Sequence, residues 1–224
     1  MTDSFTRMNP ASSLQPAYCV DADAAGIQKK SKALTAPHHR ERDRARAIFD
    51  FVRDEIIYNF APDVTSREDF RASHTLALGN GFCMQKAALF AALCRAAGIP
   101  ARVGFQDITD YKITGRFFEL MGGNRLDNHG MSAVYLDGRW LRVDCTLDRA
   151  LVERKNYRLV KFDGRSDALL PATDRIGKPH FVIRRQGHFY NDTPLFAIKC
   201  MLRWTEIVPY DRWKRLVHGK DGSM

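Results

Sequence analysis

The segment CMQKAALFAALCRAA, running from Cys83 to Ala97, constrains this chain most, because it is rich in helix formers and apolar on nearly every face. A helix with no side to give to water has to be enclosed by the rest of the polypeptide. Gly79 and Gly81 supply a flexible turn ahead of it, and Gly98 with Pro100 stops it. A chain of 224 residues can build the sizeable core that such a helix needs, and 45% hydrophobic with 27% charged residues is an ordinary globular composition.

The flanking sequence suggests what encloses the helix. In RERDRARAIFDFVRDEIIYNF, Ala45, Ile48, Val52 and Ile56 recur at three- and four-residue intervals, which predicts an amphipathic helix ending near Tyr58. A polar loop through Pro62, Thr65 and Ser66 follows. Residues 101–108 read as a strand, 110–128 as a long, substrate-facing loop with three glycines, and 181–184 as a further strand. Residues 1–38, with Pro10, Pro16 and Pro37, read as an irregular arm with a short strand near 17–22. Residues 198–218 read as one or two helices interrupted by Pro209. The aromatic and basic residues Trp204, Tyr210, Trp213, Lys214 and Arg215 fit a terminal helix packed on the core better than one lying on a membrane. The expected organisation is an arm (1–38), a core (39–150) and a C-terminal extension packed on the core (151–224).

In HGMSAVYLDGRWLRVDCT, Asp137-Gly138 between two strand-like runs is a strong hairpin signal. A two-residue turn there pairs Leu136 with Arg139 and Tyr135 with Trp140, and continues to Met131 with Asp144 and His129 with Thr146. By alternation His129, Met131, Tyr135, Trp140 and Asp144 share one face, on which a carboxylate reaches an imidazole diagonally, while Cys145 faces away into packing. Cys83 sits where a glycine turn becomes a helix, so free amide groups and the helix dipole favour a thiolate. A neutral imidazole can take a thiol proton, and a carboxylate on its other nitrogen fixes the tautomer. Cys83, His129 and Asp144 are therefore the candidate nucleophile, base and orienting acid. Cys94, in mid-helix, reads as a core residue.

These residues resemble the core of the transglutaminase-like superfamily, related in architecture to papain-like cysteine proteases. The likeness rests on DEIIYNF, GNGFCMQKAALFAALCRAAGIPARV and HGMSAVYLDGRWLRVDCT, in the family order of Cys, His and Asp. It implies an α+β fold, with the cysteine-bearing helix packed against an antiparallel β-sheet, and gives Cys83, His129 and Asp144 the triad roles. It also implies acyl transfer through a Cys83 thioester, as an amidase or peptidase or as a transamidase, on a peptide, protein or small acyl substrate. The chain departs from many members at Met131, where an aromatic residue is usual, and at Cys145, where proline is usual. The second oxyanion-hole donor is left open among Asn80, His74, Tyr58 and the backbone. The alternative is a binding or scaffold domain that keeps the fold without turnover.

Other classes find less support. The formal charge of +9 is scattered, with no nucleic-acid-binding signature, so no nucleic acid partner is expected. No apolar run is long enough for a transmembrane segment, and the first residues lack the pattern of a signal peptide, which leads to the expectation of a cytoplasmic protein. Five cysteines without C-x-x-C spacing argue against a disulfide framework or structural zinc. No acidic calcium loop is present, and His38, His39, His74, His180, His188 and His218 lack metal-ligand spacing, so no cofactor or metal is expected. Oligomeric state leaves no mark on the sequence.

Overall fold

A computed structural model describes residues 8–207 and Arg215. In chain order the regular elements are α1 (Ala25–Thr35), α2 (Glu41–Asp54), β1 (Ile57–Tyr58), α3 (Ala72–Leu78), β2 (Asn80–Gly81), α4 (Cys83–Ala96), β3 (Ala101–Asp110), α5 (Gly115–Met121), β4 (Arg125–Leu136), β5 (Arg139–Val143), α6 (Arg149–Arg154), β6 (Phe181–Tyr190) and α7 (Leu195–Ile207). Four strands form an antiparallel sheet in the order β5-β4-β3-β6, and β1 with β2 makes a separate parallel pair. Helix α4 lies against β3 and β4 on one side and against α1, α2 and α3 on the others. The fold is thus α+β, with the cysteine-bearing helix on an antiparallel sheet.

Every residue of α4 from Met84 to Arg95 is buried. Its polar groups must then be satisfied from within the protein, because a buried unpaired donor or acceptor costs about 1–3 kcal/mol. Lys86 Nζ donates to the carbonyls of Ile56 (2.6 Å) and Arg53 (3.1 Å), and burial pushes its pKa down to about 8. Arg95 donates to the carbonyls of Ala101, Gln15 and Asn191, joining β3, the N-terminal residues and the link between β6 and α7. Ser31 from α1 and Ser132 from β4 donate to the carbonyls of Leu93 and Ala87.

These contacts explain where the elements differ from expectation. Helix α2 buries Ala45, Ile48, Phe49 and Val52 but ends at Asp54, not near Tyr58. The carbonyl of Arg53, which Ile57 N–H would have used in another turn of helix, is held by Lys86 together with that of Ile56, and Ile57 N–H turns instead to Gly79 O (3.0 Å). No strand forms at 17–22: Ala17 N–H closes a turn onto Val20 O, and the amides of Cys19 and Val20 go to Asp192 Oδ1. Within the expected arm lies α1, which buries only Ile27 and Ser31, too sparse a pattern to stand out.

The expected loop over 110–128 contains α5, closed at Gly122 in the left-handed region (φ 69°), and the start of β4. The polar segment before Cys83 contains the short helix α3. Strand β6 extends to Tyr190 and joins the sheet beside β3. The expected C-terminal helix begins as α7, while Pro209, Tyr210, Trp213, Lys214 and His218 lie outside the described residues. No helix among the described residues is long and apolar enough to cross a membrane.

Lys86→Met keeps the length of the side chain and leaves both carbonyls without a donor. Urea unfolding should show a loss of about 2 kcal/mol or more, and unchanged stability would show that these bonds do not hold α2 to α4.

Candidate active site

Cys83 is the first residue of α4 and is half-exposed, whereas Met84 and the residues after it are buried. The residue before it, Phe82, has no side-chain acceptor for the first amides of the helix. Gln85 instead satisfies the other end of the turn: its Oε1 accepts Phe82 N–H (3.1 Å) and its Nε2 donates to Asp69 O (2.7 Å). The approach to Cys83 is held by the β1–β2 pair, in which Asn59 N–H also donates to Gly81 O (3.0 Å).

The β4–β5 hairpin turns at Asp137 and Gly138, both with positive φ, and its register runs from Leu136–Arg139 to Ser132–Val143 as the turn dictates. The ladder then stops. Asp144 N–H donates to Ala168 O and Ala168 N–H to Arg142 O, both at 2.8 Å, so the expected pairs Met131–Asp144 and His129–Thr146 give way to a parallel bridge between Val143 and Ala168. The shared face survives this change. His129 Nε2 lies 2.7 Å from Asp144 Oδ2, with both side chains buried, and Asp144 Oδ1 accepts Thr146 N–H (3.0 Å). Cys145 points the other way, its thiol beside the carbonyl of Lys86.

The Cys83 thiol is close enough to His129 to act on its charge. Burial alone would disfavour the imidazolium, but Asp144 and Cys83 outweigh it and raise the pKa of His129 to about 10. With Nε2 committed to Asp144, Nδ1 is the nitrogen left for sulfur.

What brings the strand so near the helix is Gly130. A β-carbon there would lie 2.7 Å from both Cα and N of Met84 and 2.8 Å from the carbonyl carbon of Cys83. Just before it, Asn128 has a positive φ of 59°, its N–H held by Asp107 Oδ1, where the β3–β4 register shifts. Such a bulge re-aims the side chains that follow it.

Of the side chains considered as a second oxyanion donor, Asn80 is bonded to Leu78 O and Asn59, and His74 faces Asp69 at the surface. Tyr58 is close enough to feel the charges of Cys83, Asp144 and Asp110; burial and those charges raise its pKa well above the ordinary value. Cys94 is fully buried and its pKa is raised by desolvation. The described residues hold no group of three side chains suited to a metal ion. The contributions of Gly130, Gln85 and Ala168 were not foreseen. A glutamine three residues after a helix N-cap is a readable capping signal, whereas Ala168 carries none.

The matching family profile is that of the transglutaminase-like superfamily, over residues 28–145, more than half of the chain, and the chain belongs to that superfamily. It is similar to human (Homo sapiens) Kyphoscoliosis peptidase, 29% identical over 136 residues, covering 58% of this chain and 19% of that protein. The mouse (Mus musculus) Kyphoscoliosis peptidase is 29% identical over 147 residues, covering 60% and 21%. The match thus spans about a fifth of the length of these relatives. Among solved structures, the periplasmic domain of TgpA from Pseudomonas aeruginosa superposes with a TM-score of 0.41 and 24% identity, over 62% of this chain and 48% of that one.

Gly130→Ala should push β4 off the first turn of α4. We expect a loss of about 1–3 kcal/mol in unfolding free energy and a fall of about a hundredfold in the rate at which Cys83 reacts with an electrophile. A protein with unaltered Cys83 reactivity would remove the close approach from the account. The raised pKa of His129 also predicts a pH effect. Stability from its protonated form is complete below the ordinary value of 6.5 and is lost as pH rises through about 10. Urea titrations across that window should show the loss in wild type and a much flatter profile in Asp144→Asn; parallel profiles would refute the pairing.

Proposed function

We propose that this chain is a cysteine-dependent acyl-transfer enzyme in which Cys83 attacks an amide or related acyl carbon, His129 manages the proton and Asp144 orients His129. The observation that carries the reading is the buried His129–Asp144 pair at 2.7 Å, set against a cysteine at the first position of a helix. An imidazole fixed by a carboxylate at one nitrogen can hold the thiol proton at the other and return it to the leaving group. The carbonyl oxygen then becomes an oxyanion, for which the uncapped first amides of α4 are suitable donors. Collapse of the tetrahedral species releases the amine and leaves a thioester on Cys83, which passes to water or to a second amine.

The relatives matched by sequence are named peptidases, which favours peptide amides as the first substrates to try.

The test is to treat the protein with an activated acyl ester and map the adduct. Cys83→Ala should abolish turnover with the fold intact, while Cys94→Ala should keep activity and lose stability through the cavity it leaves. His129→Ala should still acylate slowly with the activated ester but release the acyl group far more slowly than wild type, so the thioester accumulates. Residual turnover above a few per cent in folded Cys83→Ala, or an adduct confined to another cysteine, would overturn the assignment.

A further inference from the structure

His129 follows a defect that three strands share. Gln106 of β3 faces His129 while Ile108 faces Leu126, so β4 fits two residues, Asp127 and Asn128, opposite the single Asp107. On the other side of β3, Asp107 faces Arg185 and Ile108 faces Ile183, which leaves Arg184 as an extra residue of β6. Extra residues lose their partners in the ladder, so other bonds have to hold them. Asp107 supplies two from the middle strand: its Oδ1 accepts Asn128 N–H (3.0 Å) and its Oδ2 accepts Arg185 Nε–H (2.7 Å). Arg184 in turn donates to Asp127 Oδ1 (2.5 Å).

The bond to Asn128 acts on the backbone immediately before His129. A φ of 59° is unfavourable for a residue with a β-carbon, although asparagine tolerates it better than most, and a charge-assisted bond from its amide to a carboxylate favours that conformation. Asp107 is buried; burial alone would raise its pKa, but Arg185 and the Asn128 amide outweigh it and hold the carboxyl below the usual range, so it is an anion at neutral pH. Gln106, directly across the ladder from His129, does not share the task, because it is buried and neither amide atom of its side chain has a hydrogen-bond partner among the described residues. A change of φ at Asn128 would swing the residue that follows it, so the direction of the His129 side chain depends on the bond from Asn128 to Asp107.

We infer that Asp107, locked by Arg185, is a positioning residue for His129: it fixes Asn128 in the left-handed region and thereby aims the imidazole at Asp144 and Cys83. The inference rests on the proposed acyl-transfer reading for the use to which that aim is put. It also places part of the support of the site outside the residues that match the family, since Arg185 belongs to β6 and the match ends at residue 145.

The test combines alkylation of Cys83 by iodoacetamide with the ring resonances of His129, assigned by their loss in His129→Gln. Asp107→Ala should slow the alkylation at least about tenfold and move the resonances. Adding Asn128→Gly to Asp107→Ala should recover most of the rate and return the resonances toward wild type, because glycine takes a positive φ without a tether. A carboxylate that merely held the strands together would not be replaced by a glycine in the neighbouring strand. The side chain of Arg185 is 73% exposed, so Arg185→Gln keeps the fold and decides the matter if Asp107→Ala fails to fold. It should slow the same alkylation at least about threefold. Folded Asp107→Ala with the wild-type rate and resonances, a loss that Asn128→Gly does not recover, or an unchanged rate in Arg185→Gln would each overturn the positioning role. Wild-type Cys83 that is alkylated no faster than the exposed Cys200 would overturn the proposed reaction instead, while His129 resonances that move in Asp107→Ala and return in the double variant would keep the role of Asp107.

Discussion

A helix buried from Met84 to Arg95 cannot leave the polar groups of that stretch to water, and this requirement organises the molecule around α4. Lys86 and Arg95 would be costly in such a place if unpaired. Each is spent on main-chain carbonyls of other elements, so the same bonds that satisfy the helix also fix α2, β3, the N-terminal residues and the β6–α7 link around it. Cys83 inherits its position from this arrangement. It stands at the N-terminal end of the helix, where first-turn amides are uncapped and β4 comes into backbone contact through Gly130.

The site joins parts specified at different distances along the chain. Cys83 depends on its own helix and the short β1–β2 pair. The meeting of His129 with Asp144 depends on a hairpin whose register is set by two residues, Asp137 and Gly138. Fine placement depends on longer-range features: the bulge at Asn128 and the bridge from Val143 to Ala168. Coarse geometry therefore comes from local rules, and the last ångström from tertiary contacts.

This division matches what was legible in the sequence. The buried helix, the amphipathic helix before it and the hairpin face shared by His129 and Asp144 follow from propensity, period and turn chemistry. The end of α2 was not legible, because it is set by Lys86 reaching across from α4. The absence of a strand at 17–22 was not legible either, because the amides of Cys19 and Val20 are claimed by Asp192, far along the chain. Helix α1 escaped notice because a helix that buries two residues leaves almost no periodic trace. The candidate triad was readable because each member has a distinctive residue type; Gly130 and Ala168 were not, because they act through the space and the backbone they provide.

The bridge at Ala168 bears on how such a domain can be cut from its chain. The family match ends at residue 145, one residue beyond Asp144, so a fragment drawn to that boundary contains every atom of the candidate triad. It would nevertheless lack Ala168, which receives Asp144 N–H and returns an amide to Arg142 O, and it would lack β6 along the open edge of β3. Transplanting that fragment into another protein would carry over the reactive groups without the backbone that aims the carboxylate.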